Sequence, residues 1–312
     1  MDKKYLWFGA GLILIAVLIY AFGAGVFKNG SNNSSVSLKQ KLSVVGTFYP
    51  LAHFAQQVGG DYVTVANITP AGAEPHDYEP TPQDIVKAYQ AKVFLMNGGG
   101  VDTWAEKIEP DLQAKGIAVV DMSKSIQLMA PPAGSETALD PHIWLDPVLA
   151  QQEVQLIRDA FIKADPAHAD AYNQNAGAYI AQLQKLDSEY KTGLASCQLK
   201  DIVTSHAAFG YMAKRYGLTQ IPIAGLSPDA EPSARQIAQI VQLVEEKHIK
   251  YIFFETLLSP KLSQTIAAET GAQAAAFNPL EGLTDDEIKA GKSYLTEMRS
   301  NLAELKIALQ CQ

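Results

Sequence analysis

Cysteine is nearly missing from this chain: its 312 residues hold two, Cys197 and Cys311. A small fold stapled by several disulfides is thereby excluded. Basic clusters are missing too. Lys and Arg total 25 against 33 Asp and Glu, a net charge of −8, and the sequence offers no cationic stripe of the kind that nucleic acid requires. Catalytic signatures are equally scarce, with no His-Glu-x-x-His helix, no nucleophile elbow and no phosphate-binding glycine loop. Apolar residues, by contrast, make up 47% of the chain, which rules out a disordered polymer. The length exceeds what one core usually supports, so two domains are expected.

Charge is unevenly spread. The first 28 residues carry Lys3, Lys4 and Lys28 against Asp2, which leaves ten more acids than bases in the remainder. From Tyr5 to Phe27 no charge occurs. As a helix that run is about 34 Å long, enough to cross a hydrocarbon core of about 30 Å. Lys3 and Lys4 would keep the N-terminus cytoplasmic and place the rest outside. Residues 1–28 therefore read as a membrane anchor (5–27) or as a signal peptide cleaved near Ala21-Phe22-Gly23. No cysteine falls at the end of the run to accept lipid. Residues 29–40, beginning Asn29-Gly30-Ser31-Asn32-Asn33, form a polar tether.

From Leu42 onward, short β-branched runs alternate with amphipathic segments, the pattern of parallel sheets with crossover helices. Strands are predicted near 43–47, 63–68, 93–96 and 118–121, and again near 201–205, 220–224, 251–254 and 274–277. Between the sets, Ala171, Tyr172, Ala178, Tyr179, Leu183, Leu186 and Tyr190 recur near helical spacing. This predicts one helix over 165–196, opened by Asp165-Pro166 and too long for either half alone. The fold class is thus α/β: two similar lobes (41–164 and 197–312), each with a parallel four-stranded sheet, joined by one long helix. Residues 44–75 also align without a gap on 201–232, Ala73-Glu74-Pro75 falling on Ala230-Glu231-Pro232, as a duplicated lobe would.

Six histidines divide into two groups. His53 sits in an apolar helix, His168 in the exposed first turn of the long helix, and His248 at a helix end where a cation suits the dipole. His76, His142 and His206 follow strands, at the sheet edge where open parallel sheets bind ligands. Pro75, Pro80, Pro141 and Pro147 stiffen the backbone around two of them. Three neutral imidazoles around a cation call for a carboxylate. Glu255, ending an apolar strand, and Glu281, on a short exposed turn, are the candidates, and Glu255 is also placed to hold a histidine N–H.

The segments Gly72–Pro80 (GAEPHDYEP), Asp140–Pro147 (DPHIWLDP), Ser205–Tyr211 (SHAAFGY), Asn278–Thr284 (NPLEGLT) and Gly291–Tyr294 (GKSY) resemble the zinc/manganese-type solute-binding proteins of bacterial ABC importers. The resemblance runs from about Leu42 to Leu309. It implies two (β/α) lobes bridged by a long helix, with a metal between them, and a monomeric receptor that delivers the metal to a membrane permease and its ATPase. It makes His76, His142 and His206 ligands. Many members have Asp where this chain has Asn278, and others with Asn-Pro-Leu-Glu use the Glu, which points to Glu281, with Glu255 or water as alternatives. Manganese members usually replace the third histidine by a carboxylate, so His206 favours Zn²⁺ over Mn²⁺, as three imidazoles and one carboxylate do on chemical grounds. The histidine-rich loop of many zinc members is absent from 128–140. Some family members are described as adhesins. A zinc hydrolase with an open fourth position is the enzymatic alternative, disfavoured by the missing motifs.

Two further expectations concern single pairs. Glu74 and Glu231 read as carboxylates near a helix approach or behind the ligands, or, more sharply, as paired handles for basic residues of a permease. An extracytoplasmic location permits a Cys197–Cys311 disulfide that ties the last helix to the second lobe.

Overall fold

The computed structural model describes residues 41–131, 139–229 and 232–312. The expected anchor and tether lie outside the described residues, as do Glu231 and most of the 128–140 loop. The first lobe runs β1 (Leu42–Gly46), α1 (Tyr49–Gly59), β2 (Val63–Asn67), α2 (Pro82–Gln90), β3 (Val93–Met96), α3 (Thr103–Ala114), β4 (Ala118–Asp121), α4 (Met122–Ser125) and α5 (Pro147–Ala164). The long helix α6 (Ala169–Gly193) follows. The second lobe runs β5 (Asp201–Thr204), α7 (Gly210–Tyr216), β6 (Thr219–Pro222), α8 (Ala234–Glu246), β7 (Tyr251–Phe254), α9 (Lys261–Thr270), β8 (Gln273–Ala276), α10 (Asp285–Lys289) and α11 (Tyr294–Ala308).

Both sheets are parallel, ordered β2-β1-β3-β4 and β6-β5-β7-β8. Moving the starts of β1 to β4 along by the sequence-repeat offset lands within two residues of the starts of β5 to β8, so the repeat extends through all four strands. Alternation along each strand divides the core. Val44, Val93, Leu95, Ile202 and Phe253 face one core shared by both lobes. Their neighbours Val45, Phe94 and Met96 face a second core confined to the first lobe, and Val203 and Ile252 a third confined to the second.

The long helix belongs to the shared core. Its buried positions are Tyr172, Ala176, Tyr179, Leu183, Leu186 and Tyr190, spaced by three and four residues, so Ala176 takes the place expected for Ala178, which is exposed. Tyr172 packs on Phe161 of the first lobe, and Tyr190 donates a hydrogen bond to the Met298 carbonyl of the second at 2.6 Å. The α-helix is shorter than 165–196. Pro166–His168 forms a 3₁₀ turn, because the proline leaves no N–H for continuous pairing, and the helix stops at Gly193. His168 is largely buried rather than exposed, its Nδ1 2.5 Å from Asp165 and its ring against Tyr62. No helix among the described residues is long and apolar enough to cross a membrane.

Candidate metal centre

Each candidate ligand sits in a loop fixed by local chemistry. His76 follows β2 in a loop whose Gly72 N–H reaches across to the Leu283 carbonyl of the second lobe at 3.0 Å. His142 lies two residues after Asp140, and Asp140 Oδ1 accepts both its backbone N–H (3.0 Å) and its ring Nδ1–H (2.8 Å). The His206 carbonyl, just past β5, accepts from Thr204 Oγ1 at 2.7 Å and Gln220 Nε2 at 2.9 Å. Glu281 occupies the turn between β8 and α10. The next residue, Gly282, lies against the first-lobe loop: a Cβ there would stand 3.4 Å from the Ala73 carbonyl and 3.2 Å from Leu257 Cδ1.

These loops bring His76, His142, His206 and Glu281 together, with one donor atom from each lying within 4.8 Å of the others. Glu281 Oε1 is 3.5 Å from His76 Nε2, 3.3 Å from His142 Nε2 and 3.2 Å from His206 Nε2, and the two Nε2 atoms of His142 and His206 are 3.3 Å apart. A tetrahedron whose centre lies about 2.0–2.1 Å from its corners, the bond length of imidazole and carboxylate to Zn²⁺, has edges of about 3.3–3.4 Å. Four of the six donor separations, 3.2–3.5 Å, are close to that figure, and the two from His76 Nε2 to the other imidazoles lie within 4.8 Å. His142, His206 and Glu281 are fully buried, and His76 Nε2 and Glu281 Oε2 have no hydrogen-bond partner, an expensive arrangement unless a cation satisfies them. Glu281 is thus buried beneath the first lobe, not exposed as its turn sequence suggests.

Electrostatics tie the four groups together. Burial alone would raise the Glu281 carboxyl, but the charge of His206 and the close imidazoles of His142, His206 and His76 hold it well below the usual carboxylate range. Burial opposes charge on His206, yet Glu255 and Glu281 outweigh it and hold the imidazole well above its ordinary value. For His142, burial is likewise outweighed by Asp140 and Glu281, and the ring moves up. Burial prevails for His76, which moves down.

Glu255 is not among the converging donors. Its Oε1 lies 2.5 Å from His206 Nδ1, which turns Nε2 towards the centre, as Asp140 does for His142. Asp140 lay within a quoted motif but carried no role in the sequence reading. Glu74 turns inward: its Oε1 accepts the His76 N–H at 3.3 Å, its Oε2 is buried, and burial beside Glu281 pushes its carboxyl up to about 10. That position does not fit an exposed docking handle. Nearer solvent, the neighbouring Asp229 carboxylate pushes that of Asp77 up to about 6. His53 pairs with Tyr179 Oη at 3.1 Å inside the core, and His248 takes a left-handed conformation just after α8. Cys197 and Cys311 are joined as a disulfide.

Comparison with known proteins gives these features a context. The model of the family described as "ZnuA: Zinc-uptake complex component A periplasmic" matches residues 44–308. The high-affinity zinc uptake system protein ZnuA of Bacillus subtilis is 40% identical over 323 residues, covering 99% of both chains. Zinc-binding protein AdcA of Streptococcus pyogenes is 40% identical over 287 residues, and the chain spans 56% of that longer relative. Among solved structures, the Zn(II)-bound ZnuA-like domain of Streptococcus pneumoniae AdcA superposes with a TM-score of 0.77 at 40% identity, covering 86% of this chain and 99% of that one. The laminin-binding protein of Streptococcus agalactiae, described as bifunctional with adhesin and metal transporting activity, gives 0.80 at 36% identity, covering 86% and 100%. With a family match over most of its length and a relative 40% identical from end to end, the chain belongs to the family of zinc-uptake complex component A proteins.

Proposed function

We propose that this chain is the extracytoplasmic zinc receptor of an ABC importer, which captures Zn²⁺ with His76, His142, His206 and Glu281 and passes it to a membrane permease. The convergence of three imidazoles and one carboxylate, with Glu281 Oε1 3.2–3.5 Å from all three Nε2 atoms, is the observation that carries the reading. Four side chains surround the central position, which suits storage and transfer rather than hydrolysis, where one position stays open to water. Mn²⁺ prefers more oxygen ligands than this set supplies. Glu255 and Asp140 hold the outer ring nitrogens of two ligands, and the uncharged run 5–27 serves as the membrane anchor.

Zinc must displace protons from His206 and His142, whose carboxylate neighbours favour the protonated rings, so affinity falls as pH falls. Release proceeds by small tilts of the lobes, because the shared core resists a wide hinge. Metal analysis of natively purified protein is expected to find one zinc per chain. Glu281→Gln is expected to lose more than about a hundredfold in zinc affinity, beyond the usual effect of outer-layer changes. Manganese in the native protein, or an unchanged zinc affinity in Glu281→Gln, would overturn the assignment. Adhesion is a second reading, prompted by the laminin-binding relative. Matrix binding that persists after mutation of the four ligands would make it a separate activity.

A further inference from the structure

Glu281 reaches the histidines from a turn with an unusual backbone. Leu280, immediately before it, has φ +58°, a left-handed conformation that a branched, fully buried side chain adopts only under constraint. The constraint is visible. Asn301 Oδ1 accepts the Asn278 N–H at 2.9 Å, and Asn301 Nδ2 donates to the Asn278 carbonyl at 2.7 Å. Trp144 Nε1 donates to the Pro279 carbonyl at 2.8 Å, and Asn278 Oδ1 accepts the Leu280 N–H at 2.7 Å. Every peptide N–H and C=O from Asn278 N to Leu280 N is therefore held by a side chain, and Asn301 supplies two of those four bonds. An amide side chain is suited to that task, because one planar group offers a donor and an acceptor matched to a peptide's own.

We propose that Asn301, on α11, is the positioning residue that aims Glu281 into the metal centre. Its side-chain amide bonds the Asn278 backbone rather than any of the four candidate ligands, and acts by fixing the turn from behind. The same contacts account for Asn278, which stands where many family members carry an acidic ligand: its side chain is committed to the turn, and its backbone to Asn301. The inference rests on the proposed ligand set.

The test uses Co²⁺ as a spectroscopic stand-in, since four-coordinate Co²⁺ absorbs far more strongly in the visible than its five- or six-coordinate forms. Asn301→Leu removes both bonds and is expected to weaken those bands and lower zinc affinity about 10–100-fold, the range for groups behind a ligand. Asn301→Asp, which keeps the acceptor and loses the donor, should fall between wild type and Asn301→Leu, and it answers the question if Asn301→Leu does not fold. Leu305→Ala, one turn along α11 and fully buried, is the control for general loosening. It should lower the melting temperature yet keep the wild-type spectrum. If Glu281→Gln changes the bands while the Asn301 variants do not, or if Leu305→Ala changes them as much, the inference is wrong. If Glu281→Gln itself leaves them unchanged, the ligand assignment fails instead.

Discussion

Glu255 makes a direct test of how much an outer contact contributes. Glu255→Gln keeps the shape and an acceptor oxygen but removes the negative charge from His206 Nδ1. Zinc affinity should fall about 10–100-fold with stoichiometry unchanged, as read by competition with a chelator. His53 offers a test unrelated to the metal. Burial pushes its imidazole from 6.5 down to about 4, so the unfolded chain binds the extra proton between those values. Its contribution to stability is full above about pH 6.5 and is lost as pH falls towards 4, in total about 3 kcal/mol. Urea unfolding of metal-free protein should show wild type losing about that much more than His53→Leu across the interval. The place of His53 in an apolar helix, like the grouping of His76, His142 and His206 at the strand ends, was legible from neighbours in sequence. Asn301 and Trp144 were not, because their partners are backbone groups 23 and 135 residues away and no local pattern marks such bonds.

At the scale of elements, the start of α2 fixes how the His76 loop ends. Thr81 and Asp84 form a reciprocal cap, and Asp84 Oδ2 also accepts from Tyr78 Oη at 2.8 Å. Asp84→Ala should cost about 1–2 kcal/mol at neutral pH by chemical denaturation. Burial by itself would raise the Asp84 carboxyl, but hydrogen bonds from Lys87, Thr81 and Tyr78 hold it below its ordinary value. The stabilisation is therefore present above the usual aspartate range, and the gap between variant and wild type should close in strong acid. Strands were read to within one or two residues, three of the eight with the observed limits, because short β-branched runs between turn residues are strong local signals. The long helix was read at the right place but without its 3₁₀ start. Glu281 was misread as exposed for a different reason: a turn sequence carries no record of the lobe that covers it.

Both lobes and the long helix, among the described residues, share one core. Unfolding followed by far-UV circular dichroism and by tryptophan fluorescence should therefore give one coincident transition. The disulfide closes a loop spanning 114 residues, from just beyond the long helix to the chain end. Replacing both cysteines by serine should lower the unfolding free energy by about 2–4 kcal/mol and leave zinc stoichiometry unchanged.

The bonds from Gly72 to Leu283 and from Trp144 to Pro279 cross between the lobes beside the ligand loops. They join protein to protein, so their strength is separate from that of any metal bond. Parting the lobes at this point therefore breaks these hydrogen bonds in addition to any bond to an ion. The two lobes are thus latched to one another beside the site by protein alone, whatever occupies it.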